Sequence, residues 1–199
     1  MARAKPIVGI LMGSASDRPV MEEAAKALEG LGVACEMRAL SAHRTPAAVQ
    51  EYVRAAPGRG IRVLIAGAGM AAHLAGVVAA ATDLPVIGVP LNSSTLDGLD
   101  ALLSTVQMPP GIPVATVGIG PAGARNAGLL AARILSLSDR RLAARYRKFA
   151  EAQSARVLAA DAELRKEGAA RKAAPGRGPA PARGAASKKK AKRTPRKKK

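Results

Sequence analysis

A doubly wound α/β domain, with one parallel five-stranded sheet between two layers of helices, is the fold class this sequence predicts. Three observations lead there. Five short runs are nearly all apolar, helical patterns separate them, and polar or glycine-rich segments follow the first four runs. A strand covered on both faces reads as a continuous apolar run, which is the mark of a parallel sheet.

The first run, Ile7–Met12, ends in Gly13-Ser14-Ala15-Ser16-Asp17. Pro19 suits the first turn of a helix, and Met21, Ala24, Ala25 and Leu28 recur at helical spacing up to Gly30. Val33–Leu40 is the second strand, followed by Ser41-Ala42-His43-Arg44-Thr45-Pro46. Thr45 at the N-cap and Pro46 at the first helical position predict a helix to about Ala56. Arg62–Ala66 is the third strand, with a turn at Gly67–His73 and a small-residue helix to about Ala81. Pro85–Val89 and Val114–Val117 are the fourth and fifth strands, and a helix at Leu96–Leu103 lies between them. Helices at Ala122–Leu135 and Ser138–Lys166 follow, the last with Leu142, Tyr146, Phe149, Gln153 and Val157 roughly in line. Right-handed crossovers join such strands, and five of them favour the flavodoxin-like order over the six-stranded dinucleotide-binding order.

The chain has 199 residues, 48% of them apolar, so it can bury a core. Aromatics are 2%, too few for platforms that stack single-stranded nucleic acid. A single cysteine, Cys35, excludes an intramolecular disulfide and a cysteine-based metal cluster, and fits a reducing compartment. No apolar run reaches the ~18 residues of a membrane span, and the N-terminal residues carry no signal-peptide pattern. Cytoplasmic location and no membrane partner are the expectations.

The net charge of +18 is unevenly placed. Residues 168–199 hold 13 Lys or Arg and no acid, which leaves 19 of the 32 bases against all 14 acids in residues 1–167. The expected division is a domain over 1–167, including the last helix at about 138–166, and a disordered basic tail over 168–199. The tail lacks the large apolar side chains that would offset the entropy of ordering. It reads either as a solvated extension or as an arm for nonspecific polyanion binding.

In open parallel sheets ligands bind beyond the carboxyl ends of the strands. The polar loops of this chain fall there. Gly13–Asp17 leads into a helix, so free amides, two hydroxyls and the helix dipole favour a phosphate, and Asp17 would accept hydrogen bonds from sugar hydroxyls. The alternative is a polar turn in which Ser16 or Asp17 merely caps the helix. Arg44 offers planar recognition of a carboxylate or phosphate, and His43 beside it is suited to proton transfer. His73 faces the same rim or serves as a hydrogen-bonded structural imidazole. Both histidines of the chain lie on strand-end loops.

Other chemistries find no support in the sequence. No metal-ligand cluster appears, no glycine-rich loop ends in Lys-Ser or Lys-Thr, and no serine sits in a nucleophile elbow. Gly67-Ala68-Gly69-Met70-Ala71-Ala72 fits a loose dinucleotide fingerprint, but no acid stands about 20 residues on. Read from its residues, the chain is a cofactor-free enzyme or binder for a small anionic nucleotide, with His43 as acid/base.

These loops closely resemble the N5-carboxyaminoimidazole ribonucleotide mutase family of bacterial purine biosynthesis, the bacterial-type PurE family. The resemblance rests on Met12–Asp17, Ser41–Pro46, Ala66–Leu74 and Gly88–Pro90, and downstream on Leu99–Ser104, Val106–Pro109, Pro113–Val117 and Asn126-Ala127. It spans roughly residues 6–165. It implies a flavodoxin-like homo-octamer with sites at subunit interfaces, and an isomerase that moves a carboxylate from the exocyclic nitrogen to ring carbon 4. That reaction uses no ATP, metal or organic cofactor. The resemblance places Ser14, Ser16, Asp17 and Arg44 on the nucleotide, His43 as general acid/base, and Ser41, Gly69, His73 and Leu74 around the carboxylate or carbon dioxide. Departures from the family pattern are Met70 for Gly, Ala75 for Pro and Asn92 for Gln. An aminoimidazole ribonucleotide carboxylase using free carbon dioxide is the alternative. Two further rivals are a carboxylase of a nicotinate nucleotide and a flavin carrier, the latter short of aromatic residues.

Overall fold

The computed structural model describes residues 5–173. The chain divides into two compact units, one ending at Gln153 and one beginning at Ser154. Five strands form the sheet of the first unit: β1 (Val8–Met12), β2 (Cys35–Ala39), β3 (Val63–Gly69), β4 (Val86–Leu91) and β5 (Ala115–Thr116). All pair in parallel, in the order β2-β1-β3-β4-β5. This is the flavodoxin-like order the sequence predicts.

The central strands β1, β3 and β4 form where they do because helices cover both of their faces. Ile10, Met12 and Ile65 point into one core with Met21, Leu28, Ala124 and Ala131, from helices α1 (Arg18–Gly30) and α5 (Gly120–Ser136). Leu11 and Leu64 point to the opposite face, with Val49, Val53 and Val78 from α2 (Pro46–Ala55) and α3 (Leu74–Ala79). Each fully buried leucine or isoleucine contributes roughly 1.5–3 kcal/mol relative to exposure. Leu142 of α6 (Arg140–Ala173) is buried in the first core, and Tyr146 and Phe149 pack against it.

Four expectations are corrected. Gly67-Ala68-Gly69 is not a turn but the end of β3, paired with Val89, Pro90 and Leu91 of β4. Small residues extend the ladder as well as large ones, and sequence patterning does not reveal them. β2 is an edge strand rather than a buried one. It pairs only with β1, so it is half-exposed and admits Glu36 and Arg38. The helix expected at Leu96–Leu103 is α4 (Leu99–Val106), displaced because Asp97 and Gly98 both take left-handed backbone (φ 50° and 86°). Finally, α6 continues to Ala173, past the expected end of the last helix at about 166, and the Ala, Arg and Lys of that stretch favour helix. The remainder of the expected tail, 174–199, lies outside the described residues.

In the second unit, α6 residues 154–169 are exposed, Val157, Leu158 and Leu164 included. Arg165 pairs with Asp161 at 2.9 Å and Lys166 with Glu163 at 3.0 Å. Such pairs on adjacent turns stabilise a helix by about 0.2–0.5 kcal/mol each.

Candidate active site

The loops after β1, β2, β3 and β4 surround one cleft of about 500 Å³, lined by Ser14, Asp17, Ser41, His43, Gly69 and Ser93 among others. It sits beyond the carboxyl ends of the strands, at the reversal of strand order between β1 and β3. All nine residues singled out from the sequence line it: Ser14, Ser16, Asp17, Ser41, His43, Arg44, Gly69, His73 and Leu74.

The first loop is a closed hydrogen-bonded turn. Ser14 caps a 3-10 turn (Ala15–Asp17), and its backbone N–H donates to Asp17 Oδ2 at 3.0 Å. Ser14 Oγ accepts from the backbone N–H of Ser16 at 3.3 Å and from its hydroxyl at 2.8 Å. The expectation of free amides is therefore corrected. Those of Gly13, Ser14, Ser16 and Asp17 are already paired within the fold. Capping and exposure coexist here, since the Ser16 side chain remains at the surface of the cleft. Burial raises the Asp17 carboxyl above its ordinary 3.8, while the Ser14 N–H and the Arg44 charge pull it down.

The second loop is tied to the first. Arg44 Nη2 donates to the carbonyl of Gly13 at 2.6 Å, and Arg44 Nε donates to Ser41 Oγ at 3.3 Å. Thr45 stands at the N-cap of α2 as expected, but its hydroxyl makes no capping bond there. It accepts from Ser41 N–H at 2.9 Å and donates to the Ser41 carbonyl at 3.1 Å, which closes the loop on itself. That closure presents His43 and Arg44 side by side at the surface.

The third loop meets the second through its imidazole. His43 Nε2 and His73 Nδ1 are 2.6 Å apart, a hydrogen bond between the rings, which cross edge to face with centroids at 4.8 Å. Behind them the wall is built of small or apolar groups. Leu74 is buried, and a Cβ at Gly69 would collide with the Ser93 side chain. Gly67 likewise admits the Met21 thioether. Close packing of β3 thus explains part of the small-residue run, and the same residues give the cleft an apolar side. Met70, at the mouth, is 61% exposed with φ 56°, a left-handed backbone that suits the glycine it replaces in the resemblance.

Ser93 lines the cleft but was not singled out from the sequence. The polar stretch Asn92-Ser93-Ser94 after β4 was the signal that could have found it. Among the described residues, no group of three His, Cys, Asp or Glu side chains is placed to hold a metal ion.

Fold and cleft together define a class: a doubly wound α/β protein whose strand-end segments gather two imidazoles, a guanidinium and a carboxylate around one cleft. The AIR carboxylase family model matches residues 7–156, and the chain belongs to that family. It is 61% identical over 146 residues to the N5-carboxyaminoimidazole ribonucleotide mutase of Pyrococcus abyssi, covering 73% of this chain and 83% of that one. It is 56% identical over 165 residues to the mutase of the same name from Mycobacterium tuberculosis, covering 83% and 94%. The crystal structure of Treponema denticola PurE matches with TM-score 0.73 and 32% identity, over 80% of this chain and 98% of that one.

Proposed function

We infer that this chain is an N5-carboxyaminoimidazole ribonucleotide mutase, an isomerase that forms 4-carboxy-5-aminoimidazole ribonucleotide in de novo purine biosynthesis. The single observation that carries the reading is the meeting of His43, Arg44, Asp17 and His73 in one cleft, in a chain more than half identical to mutases of that name.

Ser14, Ser16, Asp17 and Arg44 bind the ribonucleotide, with Asp17 on sugar hydroxyls and Arg44 on an anionic group. The N–C bond of the carbamate breaks, its electron pair returns to the exocyclic nitrogen, and His43 supplies the proton there. Ring carbon 4 then attacks the retained carbon dioxide, and His43 removes the proton left on that carbon. One imidazole serves both steps, so the proton count balances with no metal, ATP or organic cofactor. Ser41, Gly69, His73 and Leu74 border the carbon dioxide, where apolar walls limit water.

Leu99, Leu103 and Val106 lie on one face of α4 and are each about half exposed, with Leu96 beside them. An apolar stripe of this kind supports assembly into a homo-oligomer, read here as an octamer, and light scattering of the purified protein tests it. The basic segment 168–199 adds nonspecific polyanion binding, which disappears on its deletion and weakens steeply with salt. A cytoplasmic setting follows from the biosynthetic role. Among the described residues no helix is long and apolar enough to cross a membrane.

The decisive assay incubates purified protein with the carbamate nucleotide, without ATP or added metal, and looks for the ring-carboxylated isomer. The alternative, carboxylation of free aminoimidazole ribonucleotide by carbon dioxide, predicts product only from that substrate with bicarbonate present.

A further inference from the structure

The mutase reading asks the cleft to hold carbon dioxide between two bonds, one already broken and one not yet formed. Among the described residues, two large apolar side chains line the cleft, Leu74 and Met70. Leu74 is buried in the wall, whereas Met70 stands 61% exposed at the mouth. It directly follows Gly69, the last residue of β3, in a left-handed backbone with φ 56°.

Both features run against ordinary preference. A residue with a Cβ is crowded in that conformation, and glycine would hold it freely. An apolar thioether left in water gains nothing from burial. Met70 belongs to neither core, so packing does not account for the strain. A strained residue at the rim of a site points to a role in that site. What the backbone places at the mouth is an unbranched side chain with three rotatable bonds, able to fold across the cleft with no movement of the main chain.

The chemistry gives such a side chain something to do. When the N–C bond of the carbamate breaks, the exocyclic nitrogen keeps the electron pair and takes a proton from His43. The carbon dioxide then has two fates. Attack by ring carbon 4, with the ring proton passing to His43, gives the isomer. Escape into water leaves aminoimidazole ribonucleotide, and His43 regains its proton from solvent. Closure of the mouth decides between them.

We propose that Met70 caps the cleft and sets this partition: its side chain lies across the mouth of the occupied site, keeping water out and carbon dioxide in. This rests on the mutase reading.

The test uses the full chain and carbamate nucleotide labelled with 13C in its carboxyl group, in buffer with excess unlabelled bicarbonate. Mass spectrometry reads the label in the isomer. Chromatography reads the aminoimidazole ribonucleotide released, with protein-free samples as background. Wild type is expected to keep the label. Met70→Gly should raise the ratio of released nucleotide to isomer by about tenfold and lose part of the label. Met70→Leu keeps a large apolar side chain and should stay within about twofold of wild type. The glycine variant should melt within about 3 °C of wild type, because the strain it relieves offsets the freedom it adds to the unfolded chain.

A glycine variant with wild-type partition and full label, or a leucine variant that leaks as much as the glycine one, overturns the proposal and leaves the mutase reading standing. So does a glycine variant that melts well below wild type, which would give Met70 a packing role, or one whose mass by light scattering differs, which would make Met70 a contact between copies. A wild type that leaves the carbamate nucleotide unconverted fails the mutase reading itself, and the proposal with it.

Discussion

The rim cleft and the groove beside β2 make an instructive pair. The groove is the larger, about 680 Å³ against about 500 Å³, and is lined by Lys5, Pro6, Glu29, Cys35, Glu36 and Met37. It runs by an edge strand and the amino ends of the sheet, and none of the nine residues singled out from the sequence lines it. The rim cleft draws side chains from four loops and joins them by hydrogen bonds, Arg44 to Gly13 and His43 to His73. Volume therefore does not mark the site. Convergence of chemically distinct groups does, and a parallel sheet supplies it at one end only.

Substitutions sharpen that contrast, beginning with the largest effect. His43→Asn should reduce kcat by about 1,000-fold or more while KM stays within a few-fold, because the charge-recognition groups remain. Steady-state kinetics with the carbamate nucleotide check this, and near-native turnover removes His43 from the proton-transfer role. Arg44→Ala should act mainly on binding, raising KM by about 30-fold through loss of a charge-assisted contact. A larger effect on kcat than on KM would move Arg44 into the chemical step.

Asp17→Asn separates binding from stability. The folded carboxyl titrates above its ordinary 3.8, chiefly from burial. A carboxyl raised on folding contributes stability that is present below the unfolded value and lost as pH rises through the folded one. The asparagine variant should thus weaken substrate binding by about tenfold yet melt no lower than wild type at neutral pH. Any gap between their melting temperatures should close below the ordinary carboxylate range. A variant that melts well below wild type at neutral pH would contradict the assignment.

Tyr52→Phe, on the β2 side, should cost about 1 kcal/mol of stability and leave turnover unchanged. The Tyr52 hydroxyl donates to Glu36 Oε1 at 2.8 Å, and Glu36 also pairs with Arg59 at 2.7 Å. Burial first, then the bond to Glu36, pushes the phenol up to about 12, against the opposing Arg59. This contribution is present below the ordinary value of 10 and lost as pH rises through about 12. Chemical unfolding at neutral and alkaline pH checks it, and lost turnover would bring the groove side into the function.

Much of this arrangement was legible in the residues. Apolar runs between helical patterns predicted five parallel strands, and every residue proposed for the site lies at or just beyond the carboxyl end of one of the first three. What escaped did so for physical reasons. Gly67–Gly69 pairs as strand although it has no bulk to announce it. The start of α4 depends on two left-handed residues that no periodicity predicts. The imidazole pair joins residues 30 apart in the chain, a contact that only the packing of two loops creates. Ser93 follows β4 and was hidden in a longer polar stretch.

A crystal structure with the 4-carboxy nucleotide bound tests the central claim most directly. The account predicts the sugar phosphate against Ser14, Ser16, Asp17 and Arg44, with the imidazole base within hydrogen-bond reach of His43. A nucleotide seated in the groove beside Cys35, or a base turned away from His43, would contradict it.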